Sequence, residues 1–148
     1  MPYTPITITR RQHKDLMAGG RIFEWFSALE MAAFGLALLH PDPAFSTRAF
    51  VGFVRIGVSE NFVGGSSFAV GVLWCVALYI NGSWRRSPML RFACALAGGS
   101  FWGCVSFTFA IAYFQFGAPI STAMGTYALS CVFTFFAARR AVYDAIAN

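Results

Sequence analysis

The chain has 148 residues, of which 57% are hydrophobic and only 11% are charged. Because soluble domains carry about 25% charged residues, this composition excludes a domain that covers its surface with charge. The net charge of +5 does not indicate a nucleic-acid partner, because the basic residues flank long apolar runs, as they do beside membrane spans. We predict an all-α protein, a polytopic transmembrane four-helix bundle with an interfacial helix between spans 1 and 2.

Residues 1–20 are predicted to form an irregular cytoplasmic tail. Arg10, Arg11 and Lys14 make this tail basic, and Gly19 and Gly20 disfavour a helix where it ends. A basic tail is attracted to anionic lipid headgroups. The lipid bilayer is therefore the first predicted partner.

The first predicted span, about residues 22–39, contains two carboxylates, and the prolines that follow it end the helix. Glu24 lies near the cytoplasmic end, where Arg21 is a possible partner. Glu30 lies near the middle, where a charged residue such as Asp costs about 3 kcal/mol on insertion scales. It must therefore face protein, water or a partner charge, or carry a proton. Glu30 is the candidate functional residue.

Two interpretations of Glu30 stay open. In the functional one, Glu30 couples protons or cations or lines a pore. In the structural one, it is protonated and hydrogen-bonded to a Ser or Thr of a neighbouring helix.

Residues 41–60 form a connector that is too long for a tight turn and too mixed for a span. Arg48 and Arg55 would share one side of a helix, with Phe and Val residues supplying an apolar face. This pattern predicts an interfacial helix in the headgroup region. In the alternative, the segment dips inward and Arg55 meets Glu30.

The remaining spans are predicted at about residues 61–80, 91–114 and 120–138. After Arg91 the third span carries no charged residue, and its length as a helix suffices to cross a hydrocarbon core of about 30 Å. Small residues recur at four-residue steps in these spans and let a second helix approach closely. The predicted helix-packing residues are Ala95, Gly99, Gly103, Ser67, Gly71, Ser121 and Gly125. The fourth span also carries hydroxyls, on Ser121, Thr122, Thr126, Ser130 and Thr134, that could reach Glu30.

Orientation follows from the Lys and Arg residues outside the spans. Nine lie on the side of the two termini and the second connector, and two lie in the first connector. The positive-inside rule then places both termini, including a tail of residues 141–148, in the cytoplasm. The residues predicted to contact headgroups and set this topology are Arg10, Arg11, Lys14, Arg85, Arg86, Arg91, Arg139 and Arg140.

The sequence contains no set of residues that predicts catalysis. Its two histidines, His13 and His40, lie outside the spans, and its four cysteines lie inside apolar runs without a CxxC spacing. We therefore predict no catalytic residues, no metal site, no cofactor and no enzymatic activity.

Two stretches carry a resemblance to a known group of proteins. YINGSWRRSPMLR (79–91), the Gly and Trp residues of span 3, and GTYALSCVFTFFAARRAVYDA (125–145) resemble small, mostly uncharacterised membrane proteins of tailed phages and prophages. Some of these are called holin-like. The resemblance implies a bacterial cytoplasmic membrane and a self-associating protein.

Three hypotheses for function follow. In the preferred one, the chain is a non-enzymatic membrane protein that packs into homo-oligomers, holin-like or pore-forming, with Glu30 on a wet face. In the second, it is an accessory subunit of a larger membrane complex. In the third, it is a small proton-coupled transporter that uses Glu30.

Overall fold

The computed structural model describes the backbone of residues 10–83 and 88–146, and the side chains of residues 22–80, 89–143 and 146. Helix α1 (Arg10–Leu38) is followed by two 3-10 helices (Ala44–Ser46 and Arg48–Phe50) and the short helix α2 (Val51–Arg55). Three long helices complete the described chain: α3 (Glu60–Ser83), α4 (Pro88–Phe116) and α5 (Thr122–Ile146). The predicted all-α class is confirmed for the described residues.

Helix α1 extends further toward the N-terminus than the sequence indicates. Its first residue is Arg10, so the prediction of irregular backbone through residue 20 is wrong from that point on. Gly19 and Gly20 each disfavour a helix by about 1 kcal/mol. The span that follows is already helical, and extending a helix is much easier than nucleating one. Residues 1–9 lie outside the described part of the chain.

The four long helices run alternately up and down. Gly71 of α3 lies against Ala28 and Ala32 of α1, and Gly64 lies against Leu38, so these two helices are antiparallel. Helices α4 and α5 are also antiparallel. Gly99 lies against Phe135, and Ser106 donates a hydrogen bond to the backbone carbonyl of Met124 (3.1 Å).

Trp74 and Trp102 fill the centre of the bundle. Both side chains are fully buried. Trp74 of α3 packs with Cys94 and Ala95 of α4, and with Ala28 of α1. These contacts join the α1/α3 pair to the α4/α5 pair and make one bundle of the four helices.

The connector between α1 and α3 folds onto one end of the bundle. Stacked rings of Phe45 and Phe53 lie beside Phe50, which meets Phe109 of α4 edge-on at 5.1 Å. The Glu60 carboxylate accepts hydrogen bonds from the backbone amides of Ala44 (2.7 Å) and Phe45 (3.3 Å), and so closes the connector into a loop.

The predicted interfacial helix is thus a set of short helical turns packed on α4, and α2 is its α-helical part. Gly57, with φ of 74°, follows the end of α2. Arg55 is exposed and stands over the Phe116 ring at 5.3 Å. The alternative in which Arg55 meets Glu30 is therefore wrong.

The core of the bundle is mostly apolar, but several polar side chains are buried in it and many large apolar side chains are exposed. Buried polar or charged residues are Glu24, Ser27, Ser67, Arg91, Thr108, Ser130 and Thr134. Large apolar side chains cover much of the outside, among them Ile22 (69% exposed), Phe107 (67%), Phe114 (79%) and Phe136 (60%).

Two of the described helices are long and apolar enough to cross a membrane. They are α3 over Glu60–Ile80 and α4 over Met89–Phe116. This supports membrane association by length and composition.

Candidate functional site

Among the described residues, two polar side-chain pairs join helices of the bundle, and each contains one carboxylate of α1. The first pair is formed by Glu24 and Arg91. Arg91 Nε donates to Glu24 Oε2 at 2.8 Å, and Nη2 contacts Oε1, so the guanidinium binds both carboxylate oxygens. Glu24 is 1% exposed and Arg91 4% exposed.

This ion pair corrects one prediction. Arg91 is not a headgroup residue, because it is buried between α1 and α4 with its charge neutralised by Glu24. The predicted pairing of Glu24 with Arg21 lies outside the described side chains. Burying two charges is favourable only with close, bidentate geometry, which the planar guanidinium provides.

The second pair joins Glu30 to Ser130 of α5. The Ser130 hydroxyl donates to Glu30 Oε1 at 2.8 Å. Among the described residues, Glu30 Oε2 is shielded from solvent and has no hydrogen-bond partner. The sequence predicts a Ser or Thr partner under the structural interpretation, and the structure places Ser130 in that position.

Aromatic rings flank the second pair along the contact between α1 and α5. On one side, Phe23 stacks on Phe133 with ring centroids 5.9 Å apart. On the other, Phe34 meets the Tyr127 ring edge-on at 5.5 Å. We call this contact, made by Phe23, Glu30 and Phe34 of α1 with Tyr127, Ser130 and Phe133 of α5, the α1–α5 seam. Apart from the Glu30–Ser130 pair, the contacts in this seam are between aromatic rings.

Most of the predicted small-residue stripes meet partners inside the same chain. A Cβ on Gly71 would stand 2.5 Å from the backbone nitrogen of Ala32, so the α1 and α3 backbones touch there. Next to it, the buried Ser67 hydroxyl donates to the Met31 carbonyl at 2.8 Å. Gly99 and Gly103 face Phe135 and Cys131 of α5, each at 3.3 Å from the Cβ position.

Ala95 completes this pattern on α4, since it is 1% exposed and packs in the cluster that contains Ala137 and Ala138 of α5. The stripe of Ala95, Gly99 and Gly103 is therefore covered by α5.

The fourth-span pair, Ser121 and Gly125, does not form such a contact. A Cβ on Gly125 would meet no atom within 4 Å. Ser121 lies just before α5, where its hydroxyl accepts from the Ala123 amide at 3.2 Å and so caps the helix. These two residues do not join helices of this chain.

Gly35 is a packing residue that the sequence analysis did not select. Its Cβ position lies 2.3 Å from the Phe68 backbone nitrogen, the closest approach found at any described glycine. A seven-residue spacing from Ala28 to Gly35, with Ala32 between them, was the signal that could have identified it.

The predicted topology residues are described only in part. Arg85 and Arg86 lie outside the described residues, and Arg10, Arg11 and Lys14 lie on the α1 backbone with side chains that are not described. Arg139 is exposed, donates to the Tyr143 hydroxyl at 3.1 Å and lies over its ring. Its neighbour Arg140 is partly buried.

Other kinds of site have little support within the described residues. No three His, Cys, Asp or Glu side chains there are grouped so that they could hold a metal ion, and all four cysteines are free. No protein-family model, curated protein or solved structure matches the chain. The function must therefore be argued from the two polar pairs and the apolar exterior.

Proposed function

We propose that this chain is a four-span integral protein of the bacterial cytoplasmic membrane with both termini in the cytoplasm. The observation that carries this proposal is the large number of exposed apolar side chains on the outside of the bundle, together with charged and hydroxyl side chains buried between helices. Lipid is the surrounding in which that arrangement is stable, because apolar surface is costly in water and polar groups are costly in hydrocarbon.

Helices α1 and α5 are proposed to cross the bilayer together with α3 and α4. α1 runs alongside α3 between Leu38 and Ala28, and α5 runs alongside α4 from Met124 to Phe135. Helices packed in this way occupy the same depth as the two candidate spans. Their outer faces also bear exposed apolar side chains, including Leu29 and Leu36 on α1 and Leu129, Val132 and Phe133 on α5.

The proposed orientation is supported by the up-and-down order of the helices. The start of α1, the end of α3, the start of α4 and the end of α5 lie at one end of an alternating bundle. Without Arg91, which is paired with Glu24, the basic residues number eight at that end (nine minus one) and two at the other. The charge difference still favours a cytoplasmic location for that end.

Within the membrane, we propose that the protein acts by association, in a holin-like manner, without enzymatic chemistry. The stripes on α3 and α4 are covered within the chain, so association would use the outer faces instead. Gly65 on α3 and Gly125 on α5 both face open space and leave room for another helix.

Stoichiometry tests this proposal. The full-length chain is extracted in mild detergent from bacteria, and native mass spectrometry counts the copies per particle. We expect several copies in the wild-type particle and fewer in a Gly125→Leu variant, whose added side chain meets no atom of its own chain. A strictly monomeric wild-type particle would contradict association with itself, and unlike subunits in the particle would favour an accessory subunit.

A second readout is the membrane potential during expression. A holin-like assembly lowers the potential when it forms. High-level expression with an intact potential would argue against a pore.

A further inference from the structure

Glu30 differs from Glu24, the buried carboxylate on the same helix, because no cation is found against it among the described side chains. Its Oε1 receives one neutral hydrogen bond, from Ser130, and its Oε2 has no hydrogen-bond partner among the described residues. The residue is partly exposed, so Glu30 lies at the edge of the bundle, while its Oε2 atom is shielded from solvent.

The other ionisable groups around Glu30 do not supply a positive charge. On α5, Tyr127 and Cys131 lie near Ser130 in the chain, and the cations Arg139 and Arg140 lie two to three helical turns beyond it, about 14 Å along the helix. On α1 and α4, Glu24 and Arg91 neutralise one another. On α3, the ionisable residues with described side chains are Glu60, Cys75 and Tyr79, and none of them is a cation. A carboxylate in this setting is favoured to take up a proton, because the single neutral hydrogen bond from Ser130 offsets only part of its desolvation.

A metal cation fits this site less well than a proton does. Small hard cations bind about six or more oxygen ligands. Ser130 is the side chain whose oxygen contacts Glu30, and the Ser130 carbonyl already accepts a hydrogen bond from the Thr134 hydroxyl at 2.6 Å. A single proton on Oε2 does not need a set of oxygen ligands.

We propose that Glu30 is an exchangeable proton-binding site located in the α1–α5 seam. The neutral acid is the resting form in the membrane, with Oε1 accepting from Ser130 and the proton on Oε2. Loss of the proton leaves an unpaired carboxylate next to the aromatic rings of the seam. This inference rests on the proposed membrane location, and it adds a ligand, the proton, that association alone does not require.

The test is labelling of the wild-type protein in native membranes with an apolar carbodiimide. The neutral acid adds across one C=N bond of the reagent: its oxygen bonds to the central carbon and its proton moves to nitrogen. Migration of the acyl group to nitrogen then gives a stable N-acylurea, with no group lost. Peptide mass spectrometry locates the added mass, and Glu24 serves as an internal control on the same helix.

We expect Glu30 to be modified, with a rate that falls at least tenfold as the pH is raised across the titration, while Glu24 stays unmodified beside Arg91. A Glu30→Gln variant, which preserves size and can still accept from Ser130, removes this label. An unreactive Glu30 at low pH, a pH-independent rate, or equal modification of Glu24 would each overturn the proposal.

The labelling result distinguishes a failure of the proton site from a failure of the proposed membrane location. Absence of the label from a protein that is still found in the membrane fraction would remove the proton site and leave the four-span arrangement standing. Absence of the protein from membranes would remove both.

Discussion

Glu24 and Glu30 lie six residues apart on one helix and have opposite surroundings. Glu24 is fully buried and bound at both oxygens by Arg91. Glu30 is partly exposed at the edge of the bundle and bound at one oxygen by a neutral hydroxyl. The comparison shows that burial alone does not define the candidate site. The more deeply buried carboxylate is the compensated one, and the carboxylate at the edge is left with an unsatisfied oxygen.

The largest effect is expected from breaking the compensated pair. Arg91→Leu leaves Glu24 buried without a counter-charge, and removal of one partner of a buried pair costs about 3–5 kcal/mol. We expect the purified protein in detergent to lose most of its folded fraction in a thermal or denaturant unfolding assay.

The matched control replaces both partners. In the double variant Glu24→Leu, Arg91→Leu no charge is left unpaired, and stability should recover substantially, since apolar substitutes for buried pairs are often neutral. A single variant as stable as the wild type would mean that Glu24 and Arg91 are not paired in the protein.

A smaller effect is expected from changing the contact that holds α1 against α3. Gly71→Leu inserts a side chain where the Ala32 backbone lies 2.5 Å from the Cβ position, and overpacking of this kind costs about 1–3 kcal/mol. Because this contact sets the position of α1, the substitution should shift both carboxylates of that helix, Glu24 and Glu30, relative to their partners.

Gly125→Leu is the control for that variant, because its Cβ position meets no atom within 4 Å. Because Gly125 is also a proposed contact between copies, the comparison is made on monomeric particles in detergent, where we expect its unfolding midpoint to equal that of the wild type. Equal loss of stability in the two glycine variants would contradict the proposed packing of α1 on α3.

The smallest effect is expected at the second pair. Ser130→Ala removes one hydrogen bond within the bundle, and such bonds contribute about 0.6 kcal/mol on average between membrane helices. The unfolding midpoint should therefore shift only slightly, far less than in Arg91→Leu. A loss of several kcal/mol would show that Glu30 is a structural residue like Glu24, and the distinction between the two carboxylates would fail.

Much of the fold was accessible from the sequence because the features that encode it are local. The uncharged run after Arg91 and the four-residue spacing of Ala95, Gly99 and Gly103 identify a helix with a packing face, and the structure shows α5 against that face. A hydroxyl partner for Glu30 was also accessible, since the fourth span offers several and the structure selects Ser130.

The Glu24–Arg91 pair was not predicted, because its members are 67 residues apart. The sequence suggests Arg21 for Glu24 by proximity and assigns Arg91 to the headgroups by its position at a span end. The sequence did contain an indication of the pair: Glu24 and Arg91 carry opposite charges and lie near the starts of spans 1 and 3, which run parallel. Reasoning from the sequence considers partners that are close in the chain first. Glu24 and Arg91 come together only because α1 packs against α4.

The helical residues 10–20 were missed for another reason. The glycines in this segment predict irregular backbone when they are considered alone. In the structure, helix α1 extends through Gly19 and Gly20 to Arg10. Propensity is a weak guide once a neighbouring segment is helical.

The most direct test of the four-span arrangement is the accessibility of single cysteines to a membrane-impermeant maleimide in intact cells. Asp42→Cys and Ile120→Cys, in a background where the native cysteines are replaced by alanine, probe the two connectors at one end, and Ile146→Cys probes the end of α5. We predict that the D42C and I120C variants react in intact cells and that the I146C variant reacts only after permeabilisation. Reaction of D42C and I146C from the same side, or recovery of the protein in the soluble fraction, would contradict the account.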